Sequence, residues 1–326
     1  MARLSFALAL SLSLAACQRR DASPGAPLRL GYFPNVTHAQ ALVGAADGTF
    51  SRALGGRLET RVFNAGPAAM EALLAGDLDA SYVGPGPAAI AFLRTKGTAI
   101  RVVAGAASGG AVLVVRRDVK GAGDLAGKRV ASPQLGNTQD VALRSWLREN
   151  GLSGQGGPGQ VQVTPLANPD ILSLFARGEL AGAWVPEPWG ARLVAEAGGR
   201  ILVDERTLWA DGRFPTTVLA VSVKALERRR NDMAALLRAH VELTRRWEAD
   251  PAGFRQQVNA AYGRLAGKPL PARVLADAFT RFQPSADPMG AQLAEMARRA
   301  QALGFAPAGD VSGMVDRSLL QEIARR

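Results

Sequence analysis

The chain is predicted to adopt an α/β fold with mixed, mostly parallel sheets, and three features of its 326 residues support this. Short apolar runs alternate with helical patterns, which is typical of parallel sheets covered by helices. Two helical patterns begin at Pro67 and Pro169 and stop at Gly76 and Gly178, so proline and glycine mark their ends. With 48% hydrophobic residues, the chain is long enough to bury the cores of two lobes.

The first 16 residues are predicted to be a lipoprotein signal peptide. A basic start precedes an apolar run from Leu4 to Leu14, which has the length of a signal-peptide core and is too short to span a bilayer. The following Leu14-Ala15-Ala16-Cys17 resembles the bacterial lipoprotein processing box, in which the thiol is acylated. We therefore expect export, lipidation at Cys17, a tether over residues 17–27, and attachment to a membrane through the lipid. An ordinary secretory signal with an incidental cysteine is the alternative.

Ten β-strands are predicted from short apolar runs, and ordered structure is expected to begin at Leu28. The predicted strands are Leu28–Tyr32, Leu58–Phe63, Ala80–Val83, Arg101–Ala106, Ala111–Val115, Arg129–Ser132, Val161–Pro165, Ala181–Val185, Ile201–Val203 and Val218–Val223. Helical patterns lie between most of them, and the region after Val223 is expected to be helical.

An internal similarity divides the chain into two halves. The segment from Gly76 to Val83 aligns without a gap with Gly178 to Val185. Leu28 to Ala39 and Lys128 to Gln139 share the predicted order of strand, loop and helix start. In each half a strand runs into a polar loop at a helix start. A repeat of about 100 residues has the size of a domain, so two similar lobes are expected rather than a solenoid.

The loops that follow the predicted strands carry the candidate binding residues. In open parallel sheets, ligands bind beyond the carboxyl ends of the strands, where helix N-termini present free N–H groups. Five of these loops are small, polar or aromatic, and their convergence at one edge predicts a binding cleft. The candidate ligand-binding residues are Asn35, Thr37, His38, Gly86, Pro87, Ser108, Gly109, Asn137, Thr138, Gln139, Trp184, Glu187, Trp189 and Thr216.

The composition argues against several kinds of active site. A single cysteine rules out an intrachain disulfide and a cysteine-based zinc cluster, and two histidines leave little material for a metal site or a histidine-dependent triad. The chain has no Gly-x-Ser-x-Gly and no His-Glu-x-x-His, and Gly123–Arg129 is a shortened phosphate loop that lacks its Ser or Thr. We therefore expect no catalytic residue, no metal, no cofactor and no enzymatic activity.

The net charge of +11 is not concentrated in the candidate ligand loops. Residues 224–326 contain 17 Lys and Arg against 11 Asp and Glu, so much of the excess belongs to the C-terminal region. The candidate ligand segments are 33–38, 64–71, 81–90, 105–110, 132–140, 184–190 and 211–217, and their charged residues are Glu71, Asp140, Glu187, Asp211 and Arg213. A bound anion would therefore be held by neutral donors and helix ends. Export argues against a nucleic-acid partner.

Three ordered motifs indicate a family resemblance. They are Leu30-Gly31-Tyr32-Phe33-Pro34-Asn35, then Asp124-Leu125-Ala126-Gly127-Lys128-Arg129-Val130 leading into Gly136-Asn137-Thr138, then the run from Gly178 to Trp189. Together they resemble the solute-binding proteins of ABC importers for nitrate, sulfonate and taurine, over roughly residues 28–223. The resemblance implies a type II periplasmic-binding-protein fold, in which two lobes joined by two hinge strands close around a ligand.

The resemblance also implies a division of the chain and a set of partners. Hinge strands are expected near Leu113–Arg117 and Val218–Val223. Residues 28–115 and 218–326 would form lobe 1 with the C-terminal helices, and residues 116–217 would form lobe 2. The protein would act as a monomer that delivers a small-molecule ligand to an ABC permease with a cytoplasmic ATPase.

The expected ligand is a small anionic or zwitterionic organic solute, an aliphatic sulfonate or taurine, with nitrate as a further candidate. Backbone N–H groups at two helix starts and the hydroxyls of Thr37, Ser108, Thr138 and Thr216 would hold the anionic group. Trp184 and Trp189 would flank the rest of the ligand.

Two alternatives stay open. The order Pro34-Asn35-Val36-Thr37-His38 is also similar to members that bind an aminopyrimidine precursor of thiamine, and Glu187 would then neutralise an amine or amidine on the ligand. An enzyme built on the same fold is disfavoured, because two histidines and an acylated cysteine supply too few reactive groups.

Overall fold

The structure, a computed structural model, describes residues 25–325. The predicted signal peptide, Cys17 and most of the predicted tether lie outside the described residues. The last part of the tether is held at the base of the first lobe. There the guanidinium of Arg229 donates to the carbonyl oxygens of Ala26 and Pro27, at 2.6 and 3.1 Å.

Eleven β-strands lie within the described residues. In chain order they are β1 (Leu28–Tyr32), β2 (Leu58–Val62), β3 (Ala80–Val83), β4 (Ile100–Gly109), β5 (Ala111–Val115), β6 (Arg129–Ser132), β7 (Gln162–Pro165), β8 (Gly182–Pro186), β9 (Arg200–Asp204), β10 (Pro215–Ser222) and β11 (Phe282–Pro284). The ten predicted strands are present with ends shifted by a few residues, and β11 is an additional strand.

Thirteen α-helices lie in the same part of the chain. They are α1 (Ala39–Ala46), α2 (Thr49–Ala53), α3 (Gly66–Ala75), α4 (Pro85–Arg94), α5 (Thr138–Glu149), α6 (Asn168–Ala176), α7 (Trp189–Ala197), α8 (Val223–Arg228), α9 (Arg230–Ala249), α10 (Pro251–Ala266), α11 (Ala272–Phe279), α12 (Gly290–Ala302) and α13 (Ser318–Ala324). As predicted, α3 and α6 begin around a proline, and Gly76 and Gly178 follow their ends with positive φ.

The strands form two sheets that share one internal plan. The six-stranded sheet has the order β11-β4-β10-β3-β1-β2, and the five-stranded sheet has the order β7-β6-β8-β5-β9. β1 pairs in parallel with β2 and β3, and β6 pairs in parallel with β7 and β8. In each sheet an antiparallel strand, β10 or β5, adjoins this three-stranded unit. The two halves that share the internal similarity therefore fold alike.

The chain crosses between the sheets at places that differ from the predicted division. β4 ends in the six-stranded sheet at Gly109, and β5 begins in the five-stranded sheet at Ala111. The second crossing runs through residues 205–214, between β9 and β10. Residues 111–115, predicted to belong to lobe 1, pair instead with β8 and β9. We define lobe 1 as residues 28–109 and 215–325, and lobe 2 as residues 110–214.

The central strands β1, β3, β5 and β8 are buried on both faces, which explains why they read as largely apolar runs. In lobe 1, Phe50 belongs to the apolar cluster on one face and Phe92 to the cluster on the other. In lobe 2, Trp184 and Phe175 belong to the two corresponding clusters. The helices that follow the central strands begin at the gap between the lobes. Within residues 25–325, no helix combines the length and the hydrophobicity needed to cross a bilayer.

Candidate functional site

A cleft between the two lobes collects the loops that follow six of the parallel strands. Its lining residues are Phe33, Asn35, Thr37, His38, Asn64, Ala65, Gly66, Gly84, Pro87, Pro133, Asn137, Thr138, Gln139, Asn168, Pro186, Thr216 and Thr217. The cleft has a volume of about 360 Å³, a figure that includes its open mouth. A ligand of a few non-hydrogen atoms therefore fits, and a larger ligand requires the lobes to separate.

Four α-helices begin at this cleft. The starts of α3 and α4 come from lobe 1, and those of α5 and α6 come from lobe 2. The first N–H groups of a helix have no partner within the helix, and the helix dipole places partial positive charge at this end. In α3, α4 and α6 a proline in the first turn suits the start of a helix. The cleft is therefore electropositive without requiring a charged side chain.

The start of α5 is fixed by side-chain hydrogen bonds. Asn137 caps the helix, since its Oδ1 accepts from the backbone N–H of Asp140 at 2.8 Å. The fully buried Asp140 carboxylate in turn accepts from the Ser132 hydroxyl at 2.7 Å, from the Gly136 N–H at 2.9 Å, and from the Arg144 guanidinium. These bonds hold the loop that carries Asn137 and Thr138 at the cleft.

Hydrogen bonds across the cleft occupy acceptor atoms of its lining and leave donors free. The indole N–H of Trp189, in lobe 2, donates to Asn35 Oδ1, in lobe 1, at 3.0 Å. This leaves the Asn35 amide NH₂ as the free end of that side chain. The backbone N–H of Gly86 donates to Thr138 Oγ1 at 3.1 Å, so the Thr138 hydroxyl keeps its proton to donate elsewhere.

His38 and Gln139 also have an acceptor atom occupied within the protein and a donor left free. Phe33 N–H donates to Nδ1 of His38 at 3.4 Å, and burial lowers the pKa of His38 to about 3. The ring is therefore neutral and carries its proton on Nε2 as a donor. Gln139 Oε1 accepts from the Asn137 amide at 3.4 Å, which leaves the Gln139 NH₂ as its donor end. The lining contains no Asp, Glu, Lys or Arg side chain, so neutral donors dominate it.

Two lining side chains have buried polar atoms without a partner among the described residues. They are Asn168 Oδ1, at the start of α6, and Thr217 Oγ1, in β10. Asn168 is 7% exposed and Thr217 is fully buried. Buried polar atoms in folded proteins nearly always have a hydrogen-bond partner, so these two atoms are candidates for direct contact with a ligand.

Eight of the fourteen predicted ligand-binding residues line the cleft: Asn35, Thr37, His38, Pro87, Asn137, Thr138, Gln139 and Thr216. Gly86 and Trp189 do not line the cleft, but each is hydrogen-bonded to a residue that does, Gly86 to Thr138 and Trp189 to Asn35. Ser108 and Gly109 lie at the first crossing instead. Ser108 is buried in β4, where it pairs with Pro215 of β10 on one side and with Gln283 of β11 on the other. The Gly109 carbonyl accepts from the Thr216 hydroxyl.

Trp184 and Glu187 do not line the cleft. Trp184 lies within β8, packs edge-on against Trp146 in the core of lobe 2, and donates its indole N–H to Glu205 at 2.8 Å. The Glu187 carboxylate accepts from the Arg281 guanidinium of lobe 1 at 2.5 Å and from the Ala191 N–H at 3.0 Å. Burial raises the pKa of the Glu187 carboxyl, and Arg281 opposes that shift. Glu187 thus joins the lobes and is not available to an amine.

The lining also contains residues that were not among the candidates: Phe33, Asn64, Ala65, Gly66, Gly84, Pro133, Asn168, Pro186 and Thr217. Eight of these nine residues lie in the candidate ligand segments. Asn168 lies outside those segments, although it follows β7 and precedes Pro169 at a predicted helix start. The strand-loop-helix rule applied to that loop would have found it. Within residues 25–325, no group of three or more His, Cys, Asp or Glu side chains is arranged to hold a metal ion.

Comparisons with known proteins match this geometry. The family model described as the NMT1-like family matches residues 21–262. The taurine-binding periplasmic protein of Escherichia coli K12 is 27% identical over 231 residues, which cover 70% of each chain.

Two solved structures share the fold at low sequence identity. The alkanesulfonate-binding protein SsuA from Xanthomonas axonopodis pv. citri, bound to MOPS, is 22% identical with a TM-score of 0.68, over 93% of this chain and 98% of that one. The nitrate-binding protein NrtA from Synechocystis PCC 6803 is 14% identical with a TM-score of 0.78, over 93% and 89%. The predicted two-lobed α/β fold is therefore confirmed.

Proposed function

The chain belongs to the NMT1-like family, and on this premise we propose that it is the extracytoplasmic solute-binding subunit of an ABC importer for a small organic sulfonate. It captures the ligand between its lobes and delivers it to a membrane permease. The relatives include a taurine-binding and an alkanesulfonate-binding protein, which supports this ligand class. No catalytic role is proposed for any lining residue.

One observation carries the proposal of an anionic ligand. In Asn35, Thr138, His38 and Gln139, the acceptor atom is occupied within the protein and the donor end is left free. The starts of α3 in lobe 1 and of α5 and α6 in lobe 2 add backbone N–H donors. An anion with several oxygens satisfies such a donor set, and it binds both lobes at once, so its binding favours the closed arrangement.

Calorimetric titration with taurine, ethanesulfonate, nitrate and the aminopyrimidine precursor of thiamine tests the ligand class. We expect micromolar binding of at least one sulfonate. Binding of the aminopyrimidine alone would overturn the sulfonate proposal, and binding of none of the four would overturn the proposed function. Asn35→Asp is the test variant, because the carboxylate keeps the bond from Trp189 but replaces the free NH₂ with a charged acceptor. Sulfonate affinity should then fall by more than about 100-fold.

The aminopyrimidine alternative has less support from the site. Glu187, the carboxylate expected to neutralise this ligand, is bonded to Arg281 instead. His38 and Asn35 do line the cleft, but both present donors. The matched titration above separates the two ligands directly.

We also propose that Cys17 anchors the protein to a membrane through lipid, with the tether leaving from the base of lobe 1. The sequence supports this through its processing box, and the described end of the tether is bonded to Arg229. Arg229 also pairs with Asp79, which precedes β3, whereas the cleft residue Gly84 follows the other end of that strand. Metabolic labelling with palmitate should label the wild-type chain and not Cys17→Ala. Unchanged labelling of the variant would contradict the anchor.

A further inference from the structure

Asn168 differs from the other polar side chains of the cleft in the atom that it leaves unpaired. Its Oδ1 is a buried acceptor with no partner among the described residues. Thr217 Oγ1 is also unpartnered, but a hydroxyl can donate to an anion and so needs no donor from the ligand. A carbonyl oxygen can only accept. With the amide in this orientation, the ligand that completes the site brings a hydrogen-bond donor to Asn168 in addition to its anionic group.

The charges around the cleft decide which kind of donor this is. No Asp or Glu side chain lines the cleft. Two buried carboxylates, Asp140 and Glu187, directly follow lining residues in the sequence, but both already have partners. Asp140 is bonded to Ser132 and Arg144, and Glu187 is bonded to Arg281. A buried ammonium would therefore lose its hydration without gaining a carboxylate partner, which is costly. A neutral hydroxyl can donate to Asn168 without that cost.

We propose that Asn168 is a specificity-determining residue that accepts a hydrogen bond from a neutral hydroxyl of the ligand, so that a short hydroxyalkanesulfonate is preferred. This inference rests on the proposed sulfonate-binding function. Ligands without a donor, such as nitrate or a plain alkanesulfonate, leave Oδ1 unpaired. An aminoalkanesulfonate supplies a donor but adds an unpaired positive charge.

Three ligands of equal length test the proposal, because they differ only at the end away from the sulfonate. They are ethanesulfonate, 2-hydroxyethanesulfonate and 2-aminoethanesulfonate (taurine), titrated calorimetrically into the full-length protein. We expect the hydroxy compound to bind about tenfold more tightly than ethanesulfonate, the effect of one buried hydrogen bond. We also expect it to bind more tightly than taurine.

Two substitutions at Asn168 make the assignment specific. Asn168 lies at the first position of α6, and its Oδ1 has no partner among the described residues, so Asn168→Ala and Asn168→Asp should both fold. In Asn168→Ala, the affinities for 2-hydroxyethanesulfonate and ethanesulfonate should differ by no more than about twofold. Asn168→Asp should invert the order in favour of taurine by about tenfold, because the new carboxylate pairs with the ammonium. Thr164→Val is the control, since Thr164 Oγ1 is also unpartnered but does not line the cleft. It should leave all three affinities unchanged.

The outcomes separate this inference from the function on which it rests. If none of the three sulfonates binds the wild-type protein, the proposed function fails. If they bind but ethanesulfonate equals the hydroxy compound, or taurine binds most tightly, the role of Asn168 is wrong. A hydroxyl preference that survives Asn168→Ala would likewise contradict it.

Discussion

The orientation of one amide decides what the lobe 1 side of the cleft presents to an anion. Asn35 is buried, and the indole N–H of Trp189 holds its Oδ1 at 3.0 Å. Without that bond the amide could turn, and an acceptor would then face the ligand. A residue behind the cleft wall thus controls the polarity of a residue in it.

Replacing Trp189 with phenylalanine should therefore weaken sulfonate binding by about tenfold while leaving the fold intact. The ring volume is largely retained, and only the N–H that orients Asn35 is lost. Trp184→Phe is the matched control, because it also removes an indole N–H but from Glu205 in the core of lobe 2. It should lower the free energy of unfolding by about 1–3 kcal/mol without changing ligand affinity. Equal affinity losses in the two variants would contradict the orienting role of Trp189.

A second residue-scale prediction concerns Glu205, which follows β9 in the second crossing. The carboxyl is fully buried and accepts from Trp184 at 2.8 Å and from Trp209 at 3.4 Å. Burial raises its pKa to about 7, against an unfolded value of about 4.3. Between these values the folded chain binds more protons than the unfolded chain. The contribution of Glu205 to stability is therefore full at acidic pH and is lost as the pH rises through 7, by up to about 4 kcal/mol.

Thermal unfolding of Glu205→Gln and wild type from pH 5 to pH 8 checks this sign. The amide keeps an acceptor for one indole N–H and does not titrate, so the variant should gain in melting temperature relative to wild type as the pH rises. His38 and His240 have pKa values lowered by burial to about 3 and about 4, so they destabilise the fold as the pH falls. Both proteins share that effect, and it cancels in the difference. Parallel curves would show that Glu205 does not titrate in this range.

At the same scale, the sequence indicates residue types better than side-chain directions. Trp184 and Trp189 lie five positions apart in one aromatic segment, yet one packs inside lobe 2 and the other reaches Asn35. Glu187 is fully buried and is bonded to Arg281, which lies 94 positions later in the chain. Pairing over such separations depends on how the lobes meet, which no local pattern contains.

At the scale of elements, the loop before α4 allows the lobes to approach. A Cβ atom added at Gly84 would lie 2.1 Å from Thr138 Oγ1, which belongs to the other lobe. The backbone of Gly84 has φ −68° and ψ 151°, which alanine adopts without strain. The need for glycine here thus comes from contact between the lobes and not from the turn itself.

Gly84→Ala should consequently leave the unliganded protein as stable as wild type but lower sulfonate affinity by at least about tenfold, since the closed arrangement becomes strained. Calorimetry gives the affinity, and thermal unfolding without ligand gives the stability. Gly123→Ala is the control, because no atom lies within 4 Å of its added Cβ. Unchanged affinity in Gly84→Ala would mean that ligand binding does not require this close approach.

Most elements are predictable from the sequence because their signals are local. Most of β1 to β10 are short apolar runs, and α3 and α6 have proline and glycine at their ends. β11 is not predictable in this way, since its three residues include Pro284 and it pairs, within residues 25–325, with β4 alone. The sheet to which β5 belongs could not be predicted either, because a valine-rich run has the same appearance in any buried sheet.

At the scale of the whole molecule, the internal similarity predicts the two-lobed architecture correctly, because each half can bury its own sheet. The cleft follows from that architecture, since the helix starts of both halves meet at the gap. The distribution of charge is a separate property of the molecule. The net charge of +11 lies outside the cleft lining, which contains no ionised side chain.

This separation predicts that ligand binding depends little on ionic strength. Raising sodium gluconate from 50 to 500 mM should change sulfonate affinity by less than about threefold, because salt screens exposed charges and not fixed dipoles in a closed cleft. Gluconate is too large to compete within the narrow space between the lobes. Adsorption of the same protein to a carboxymethyl cation exchanger is the internal control, since it depends on the overall charge and should be lost over that range. A loss of affinity that follows the loss of adsorption would mean that exposed arginines attract the anion, which would contradict binding by neutral donors and helix starts.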